Sequence, residues 1–191
     1  MNRLKTMIVF LLLPFFYSAA QGVVGLKTNL LYGAVTFTPN LGVEIGLGKR
    51  TTLDLSAGYN PWNADGESKI AHFIVQPELR YFLNERFNGH FFGVHALYSQ
   101  YNIKGHSHPM LFGKGSRDYR FEGNALGAGV SYGYQLLLGT HWNLEFELGA
   151  GYARLDYGKY NCGKCGTKIA TVHKNYFGPT KAGVSLIYII Q

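Results

Sequence analysis

Apolar residues alternate with polar or small residues along most of this chain. In "LGVEIGLGKRTTLDLSAGY", residues 41–59, two alternating stretches flank a short basic turn, and each sets apolar side chains against glycine, serine and carboxylates. A period of two is that of a β-strand, whose successive side chains point to opposite faces. No convincing helical period of 3.6 follows residue 20. The pattern therefore predicts an all-β fold.

Alternation between turn signals predicts eight strands. They cover approximately residues 24–37, 41–48, 53–60, 70–82, 90–102, 125–138, 142–154 and 181–191. Short joins ("GKRT", "NERFNG", "LGTH") alternate with longer ones over 60–69, 103–124 and 154–180, although the first long join is only "TPN". An even strand count with short turns at one end is typical of bacterial outer-membrane barrels. We expect an eight-stranded antiparallel up-and-down transmembrane β-barrel.

The face opposite the apolar one indicates which medium surrounds the barrel. It is mostly glycine with a few carboxylates, which is too small and too poor in lysine for an ordinary wetted exterior. Small residues and paired charges do fit the narrow interior of eight strands. The apolar face is then expected to meet lipid, and the sheet must close because open edges cannot face hydrocarbon.

The inward face carries the charged residues that are candidates for a chemical role. They are Lys27, Glu44, Asp54, Glu78, Arg80, Glu145, Glu147 and Lys181, accompanied by His72 and His95. Glu145 and Glu147 share one face of a strand. Paired carboxylates can act as general acid and base, but such a pair needs a cleft and a substrate path. Buried charges must in any case be paired. We predict an interior ion-pair network that fixes register, with no catalytic or cofactor-binding residue.

Aromatic residues gather near the predicted strand ends. They are Tyr59, Trp62, Tyr81, Phe82, Tyr98, Tyr101, Trp142 and Tyr152. Amphipathic rings favour the membrane interface, so we predict an aromatic belt that includes Tyr59, Trp62, Tyr81, Trp142 and Tyr152. The alternative is that aromatic residues simply prefer strands.

The first twenty residues have the form of a secretory signal. Arg3 and Lys5 precede an apolar run over residues 7–16, and Ser18-Ala19-Ala20 forms a small-residue cleavage site. The run is shorter than the ~20 residues that a membrane-spanning helix needs. We predict a cleaved signal peptide over 1–20 and one barrel domain over 21–191. The formal net charge of +7, two of it from the leader, suits an anionic lipid or glycan, and a secreted chain is a poor candidate for nucleic-acid binding.

Two small motifs give weak signals for metal or redox chemistry. Cys162 and Cys165 lie in "NCGKCG", where a local disulfide or two inert thiols are favoured over a redox pair or half of a zinc site. His106 and His108 lie in the longest predicted loop, and two loop histidines alone are little evidence for a metal. "GKGSRDYR" lacks the order of a phosphate loop. No metal or cofactor is predicted.

Two motifs carry a resemblance to a known family. With "LKTNLLYGAVTFTPNLGVE" at its start and "QPELRYFL" at 76–83, the chain resembles a family of small outer-membrane β-barrel proteins of Bacteroidales, of unknown function and often encoded beside fimbrial genes. The resemblance implies an outer-membrane location and a link to surface-fibre assembly or anchoring, and it implies no catalytic residue. The chain departs from many barrels by ending in Ile190-Gln191 rather than in an aromatic residue.

The expected function is a non-enzymatic, monomeric barrel in the outer membrane. It would play a structural or interaction role, contacting the bilayer through its wall and a fimbrial or other surface protein through the loops over 103–124 and 154–180. One alternative is an outer-membrane lipid-modifying enzyme, marked by a Ser–His or His–acid pair at one rim. Another is a soluble lipocalin-like binder of an apolar ligand, which would invert every inside–outside assignment.

Overall fold

The computed structural model describes residues 22–61, 69–104, 119–161 and 167–190. These residues form a closed antiparallel barrel whose strands follow one another in chain order, which confirms the predicted all-β, eight-stranded architecture. The strands are β1 Val24–Asn29, β2 Asn40–Gly46, β3 Thr51–Asn60, β4 Lys69–Phe82, β5 Gly89–Lys104, β6 Tyr119–Leu137, β7 Trp142–Asn161 and β8 Lys168–Ile190. One helix, α1 Leu30–Thr36, lies between β1 and β2.

Pairing between the first and last strands closes the ring. β1 lies antiparallel to β8, with Val24 opposite Ile190 and Asn29 opposite Ser185. The short connections at 47–50, 83–88 and 138–141 all lie at the end where β1 begins and β8 ends, which we call the lower end. The opposite end, where β3, β5 and β7 finish, is the upper end.

The prediction of one continuous strand over residues 24–37 is wrong. β1 ends at Asn29, whose side-chain oxygen accepts a 3.0 Å hydrogen bond from the backbone N–H of Tyr32 and caps α1. An asparagine oxygen in that position satisfies a backbone donor that a helix leaves free, so the chain turns helical despite its strand-like alternation. Phe37 ends the helix in a left-handed conformation with φ 50°. The first upper connection is therefore a helical segment rather than a three-residue turn.

The last three strands are longer than predicted. β6 begins at Tyr119, β7 runs to Asn161 and β8 begins at Lys168, so much of the predicted loops over 103–124 and 154–180 is strand. Several predictions fall on residues outside the described ranges. These concern the signal peptide, Trp62, the histidines at 106 and 108, most of "GKGSRDYR", and the disulfide between Cys162 and Cys165.

The polarity of the two faces reverses along these long strands. On β7 Leu148 faces outward with 71% of its surface exposed, and Glu147 faces inward with 4% exposed. Further up the same strand Leu155 is the inward residue, 3% exposed, whereas Asp156 points outward. The change falls just above Tyr152. We call the region above it the upper extension, comprising residues 99–104, 119–125, 153–161 and 168–176, and the rest the lower barrel.

Two apolar clusters close the interior above and below its middle. In the upper extension the cluster comprises Tyr101, Phe121, Ala125, Leu155 and Tyr157. At the lower end the interior is filled by Phe82, Phe87, Phe91, Ile187 and Ile189. Phe82 and Tyr101 were predicted to sit at a membrane interface, and both are buried inward instead, because the strand ends that carry them turn these positions toward the interior. Charged residues occupy the level between the two clusters.

Candidate functional site

Arg80 lies at the centre of the lower barrel and contacts five carboxylates. Its guanidinium nitrogens are 2.7 Å from Glu145, 2.9 Å from Glu78 and 3.0 Å from Glu44. They also lie 3.0 Å from Glu147 and 3.5 Å from Asp54. Arg80 is fully buried, and its guanidinium stacks 4.6 Å from the ring centre of Phe91. A planar guanidinium with five N–H donors suits such a shared position better than an ammonium does.

Two lysines complete the charge pairing. The Lys27 ammonium is 3.0 Å from Glu145 and 3.1 Å from Asp54. Lys181 reaches Glu78 directly, Glu147 at 3.3 Å and Asp54 at 3.5 Å. The structure thus brings together all eight charged residues that the sequence assigned to the interior, each with no more than 7% of its side chain exposed.

The register explains why this network needs its cations. Glu44 lies opposite Asp54, Asp54 opposite Glu78, and Glu78 opposite His95, so three carboxylates form one row across neighbouring strands. Like charges directly opposite one another destabilise a sheet. Arg80, two residues along β4 from Glu78, projects into the same interior and relieves that repulsion. The period-two alternation therefore places the repelling carboxylates and the arginine that offsets their repulsion on the same face of the sheet.

Neutral side chains supply the remaining hydrogen bonds. The Gln135 amide donates to Glu44 at 3.0 Å and to Glu145 at 2.7 Å. Thr52 donates to Glu44 at 2.6 Å, and Ser131 donates to Glu78. These donors were not among the predicted site residues. The signal was present, however, because Ser131 and Gln135 share the glycine-rich face of their strand.

This arrangement suits a structural network better than a catalytic centre. Each of the five carboxylates lies within 3.1 Å of a cationic nitrogen. The phenylalanine and isoleucine cluster separates it from the lower end, and a cavity of about 130 Å³ adjoins it from above. Five carboxyl groups thus share three cations.

The two inward histidines lie above and beside the network. His95 is 1% exposed, and its Nε2 is 2.9 Å from the Thr180 hydroxyl. His72 contacts the Tyr32 hydroxyl, so it holds α1 against the interior. Neither lies among the ion pairs of the central cluster. Among the described residues no group of three or more His, Cys, Asp or Glu side chains is arranged to hold a metal ion.

The described members of the predicted aromatic belt all face outward. Trp142 and Tyr81 lie near the lower strand ends, 47% and 50% exposed, and Tyr59 and Tyr152 lie higher, 61% and 48% exposed. Trp142 and Tyr188 stack edge to face with ring centres 5.0 Å apart. The exposed wall between these levels is apolar. Its members include Leu55, Leu79, Val94, Val130, Phe146 and Leu148.

Above that wall the exterior carries charge and hydrogen-bonding groups. Asp156 accepts a 2.5 Å hydrogen bond from His173 and lies 3.2 Å from Arg154. The hydrogen bond from His173 lowers the pKa of Asp156 below its usual range. This is a His–acid pair of the kind that the enzyme alternative requires. Among the described residues, no serine, threonine or cysteine side chain forms a hydrogen bond with His173.

The fold and interior define a closed, eight-stranded antiparallel barrel with a charged centre and an apolar exterior wall. The chain belongs to the family described as "Protein of unknown function (DUF3575)", which it matches over residues 6–190. No curated protein matches the chain. Within the described residues, no helix has both the length and the apolar character needed to cross a membrane.

Proposed function

We propose that this protein is an outer-membrane β-barrel with a structural or interaction role at the cell surface. The observation that carries the proposal is the reversal of polarity on β7, between the outward Leu148 and the outward Asp156. A sheet buries apolar side chains away from water and exposes them only to an apolar medium. The medium outside the barrel therefore changes along the strands, from apolar beside the lower barrel to aqueous beside the upper extension.

The height of the apolar wall fits a bilayer. Trp142 and Tyr152 face outward at the two ends of this wall and are ten residues apart on β7. A strand rises ~3.3 Å per residue and tilts by ~40° in a membrane barrel, so this span is about 25 Å high. Membrane barrels have an apolar band about 25 Å tall flanked by aromatic rings. The exposed rings at both ends match that pattern.

The filled interior argues for a scaffold rather than a carrier. A soluble lipocalin-like barrel would need an apolar cavity inside, where Arg80 and its carboxylates lie instead. The extended upper strands give the protein a folded surface above the membrane for contact with another molecule. A surface fibre is one such partner, and the supporting reason is the resemblance of "LKTNLLYGA" and "QPELRYFL" to barrels encoded beside fimbrial genes.

Membrane fractionation is the first test of this proposal. The protein is expected in the detergent-washed outer-membrane fraction, where the unheated band should migrate faster on an SDS gel than the boiled band. Recovery as soluble periplasmic protein without detergent would overturn the proposal.

Cysteine labelling tests the reversal itself, in a background where Cys162 and Cys165 are replaced by serine. Asn124→Cys and Val130→Cys place one thiol on each side of the boundary, both on the outer face of β6. A membrane-impermeant maleimide applied to intact cells is expected to label the first and not the second. Equal labelling of both would show that water, not lipid, surrounds the wall.

A further inference from the structure

The outer face of β7 and β8 carries a small polar cluster just above the apolar wall. It comprises Arg154 and Asp156 on β7 and the residues opposite them on β8, Asn175 and His173. All four side chains point outward, and those of Arg154 and His173 are 61% and 62% exposed. The neighbouring strands continue these two rows with uncharged residues, namely Val75, Tyr98 and Leu126 in one row and Phe73, Gln100 and Asn124 in the other. The charge is thus confined to one patch, which we call the β7–β8 cluster.

Hydrogen bonds within the β7–β8 cluster hold its donor groups in place. The Oδ1 atom of Asp156 accepts from Arg154 Nε at 3.2 Å and from His173 Nδ1 at 2.5 Å. The Oδ1 atom of Asn175 accepts from the Tyr152 hydroxyl at 2.8 Å. Each of the three donor side chains is therefore anchored at one atom. Among the described residues, the two Nη groups of Arg154, His173 Nε2 and Asn175 Nδ2 have no hydrogen-bond partner and are available to a ligand.

These available donors match a terminal phosphate. A guanidinium presents paired N–H groups that bind two phosphate oxygens at once. His173 uses Nδ1–H toward Asp156, so its Nε2 donates in the imidazolium form, which a bound phosphate would favour. The cluster then holds two cations and one carboxylate. A terminal phosphate has three strong acceptor oxygens, enough for donors from three side chains. A metal ion is disfavoured, because a guanidinium has no lone pair to coordinate it.

The height of the β7–β8 cluster indicates the source of that phosphate. Arg154 is two residues above Tyr152, the ring at the upper end of the apolar wall, which corresponds to about 5 Å of height. Lipid headgroups occupy ~5–8 Å on each side of the hydrocarbon. In a barrel that spans the membrane, Arg154 therefore lies in the headgroup layer. Lipid phosphates are the phosphates present at that height.

The wall below the β7–β8 cluster has room for acyl chains. An apolar groove of about 950 Å³ lies on the outer wall, and its lining includes Val94, Val130, Leu148, Ala150 and Pro179. Ala150 and Pro179 are opposite each other, four residues below the lower row of the cluster on the same two strands. Between the two levels Phe177 projects outward with 84% of its surface exposed. Donors above and an apolar groove below match the two parts of a phospholipid.

We propose that the β7–β8 cluster binds the terminal phosphate of an anionic membrane lipid, whose acyl chains lie in the groove below it. Arg154, His173 and Asn175 donate to the phosphate oxygens. Asp156 and Tyr152 hold these donors in position. The inference rests on the proposed outer-membrane location and deepens it, because it names a lipid class that the upper end of the barrel selects.

The test uses the whole mature chain in detergent micelles, with native mass spectrometry to count bound lipid. Phosphatidic acid is the probe because its phosphate is terminal, and phosphatidylcholine with the same acyl chains is the matched lipid. Phosphatidic acid is expected to bind at least ~10-fold more tightly, and Arg154→Gln with His173→Gln should remove that preference. Arg50→Gln with His141→Gln removes the same two residue types at the lower end and should leave the preference unchanged. No preference in the parent protein, or equal effects of the two double variants, would overturn the proposal.

Two further measurements separate a built site from general attraction. Arg154→Lys keeps the charge but loses the paired N–H groups, so it should weaken phosphatidic acid binding at least ~3-fold. Unchanged binding would show that charge alone attracts the lipid, which would overturn the site. Glycerol 3-phosphate, the same headgroup without acyl chains, should not displace the lipid at an equal concentration. Displacement would make the ligand a soluble phosphate compound and would overturn the lipid assignment.

Folding and location are measured separately from lipid binding. All of these variants should retain heat-dependent migration on an SDS gel, because Arg154 and His173 are exposed and lie outside both apolar clusters. A barrel that fractionates with the outer membrane but shows no lipid preference would overturn this inference alone. Recovery as soluble periplasmic protein would overturn the proposed function as well.

Discussion

The lower barrel and the upper extension share the same strands but are stabilised in opposite ways. Below the boundary on β7, Glu147 is buried among cations while Leu148 is exposed; above it, Leu155 is buried among aromatic rings while Asp156 is exposed. The backbone ladder continues across the boundary without a change of strand partner. The difference teaches that alternation alone defines two faces without fixing which of them is apolar. Under the proposed membrane location, the surrounding medium decides which face carries which chemistry.

The two regions also differ in what a lost side chain leaves behind. In the lower barrel, removing one partner leaves buried charges uncompensated, which typically costs ~3–5 kcal/mol per broken pair. In the upper extension, removing a buried apolar group leaves a cavity, which costs ~2–5 kcal/mol for a large residue. The first region is therefore expected to be the more sensitive to a single substitution.

The largest expected effect is that of Arg80→Leu. It would leave five carboxylates without their shared cation, and we expect more than ~5 kcal/mol of destabilisation, enough to abolish the folded barrel. Loss of heat-dependent migration on an SDS gel measures this. Arg50→Leu, in the β2–β3 turn, serves as the control and should behave like the parent. A normally folded Arg80→Leu barrel would show that the network is dispensable.

The second-largest expected effect is that of Leu155→Ala, which we compare with Leu148→Ala on the same strand. Leu155→Ala should cost ~2–4 kcal/mol because it opens a cavity in the upper cluster. Leu148→Ala should cost less than ~1 kcal/mol, because lipid replaces the lost contacts of an outward side chain. Urea unfolding in lipid vesicles measures both. Equal losses would contradict the different surroundings of the two leucines.

A charge placed on the apolar wall tests the same boundary from outside. Val130→Arg, at an outward position 63% exposed, should cost ~2–4 kcal/mol in a bilayer, as cations near the midplane of membrane barrels do. Asn124→Arg, six residues higher on the same face of β6, should have little effect. If both variants unfolded at the same urea concentration, positions 124 and 130 would have the same surroundings and the boundary between them would be wrong.

The smallest expected effect is at the exposed Asp156. Its pKa is lowered by His173, so any stabilisation is present above the ordinary carboxylate pKa of ~3.9 and is lost as pH falls through the lower folded value. The pair is open to solvent, where such interactions contribute little and are screened by salt. Asp156→Asn should therefore leave the urea midpoint at pH 7 unchanged. A clear shift at low salt would show that the pair is better shielded than its exposure indicates.

Sequence patterns were sufficient for the centre of the barrel and insufficient for its two ends. Period two, with glycine opposite apolar residues, correctly placed Arg80 and its partners inside. The same rule treated Leu155 and Tyr157 as loop, because the apolar face changes side just before them and the pattern appears broken. α1 was missed for a local reason, since the Asn29 cap outweighs the alternation that continues through Tyr32. The sequence prediction put Phe82 at the membrane interface, whereas it packs inside the barrel. An aromatic residue at a strand end suits either position equally well, so the sequence could not distinguish them.

The closure of the barrel sets the order of events in its biogenesis. Val24, near the start of the fold, pairs with Ile190, so the ring cannot form until β8 has been synthesised. Contacts so distant in sequence form slowly, because the whole intervening chain must first be brought together. Until then β1 keeps an unpaired edge, which is an aggregation hazard. A chain that is complete but not yet closed would thus expose one edge of β1 and one edge of β8 until its final assembly.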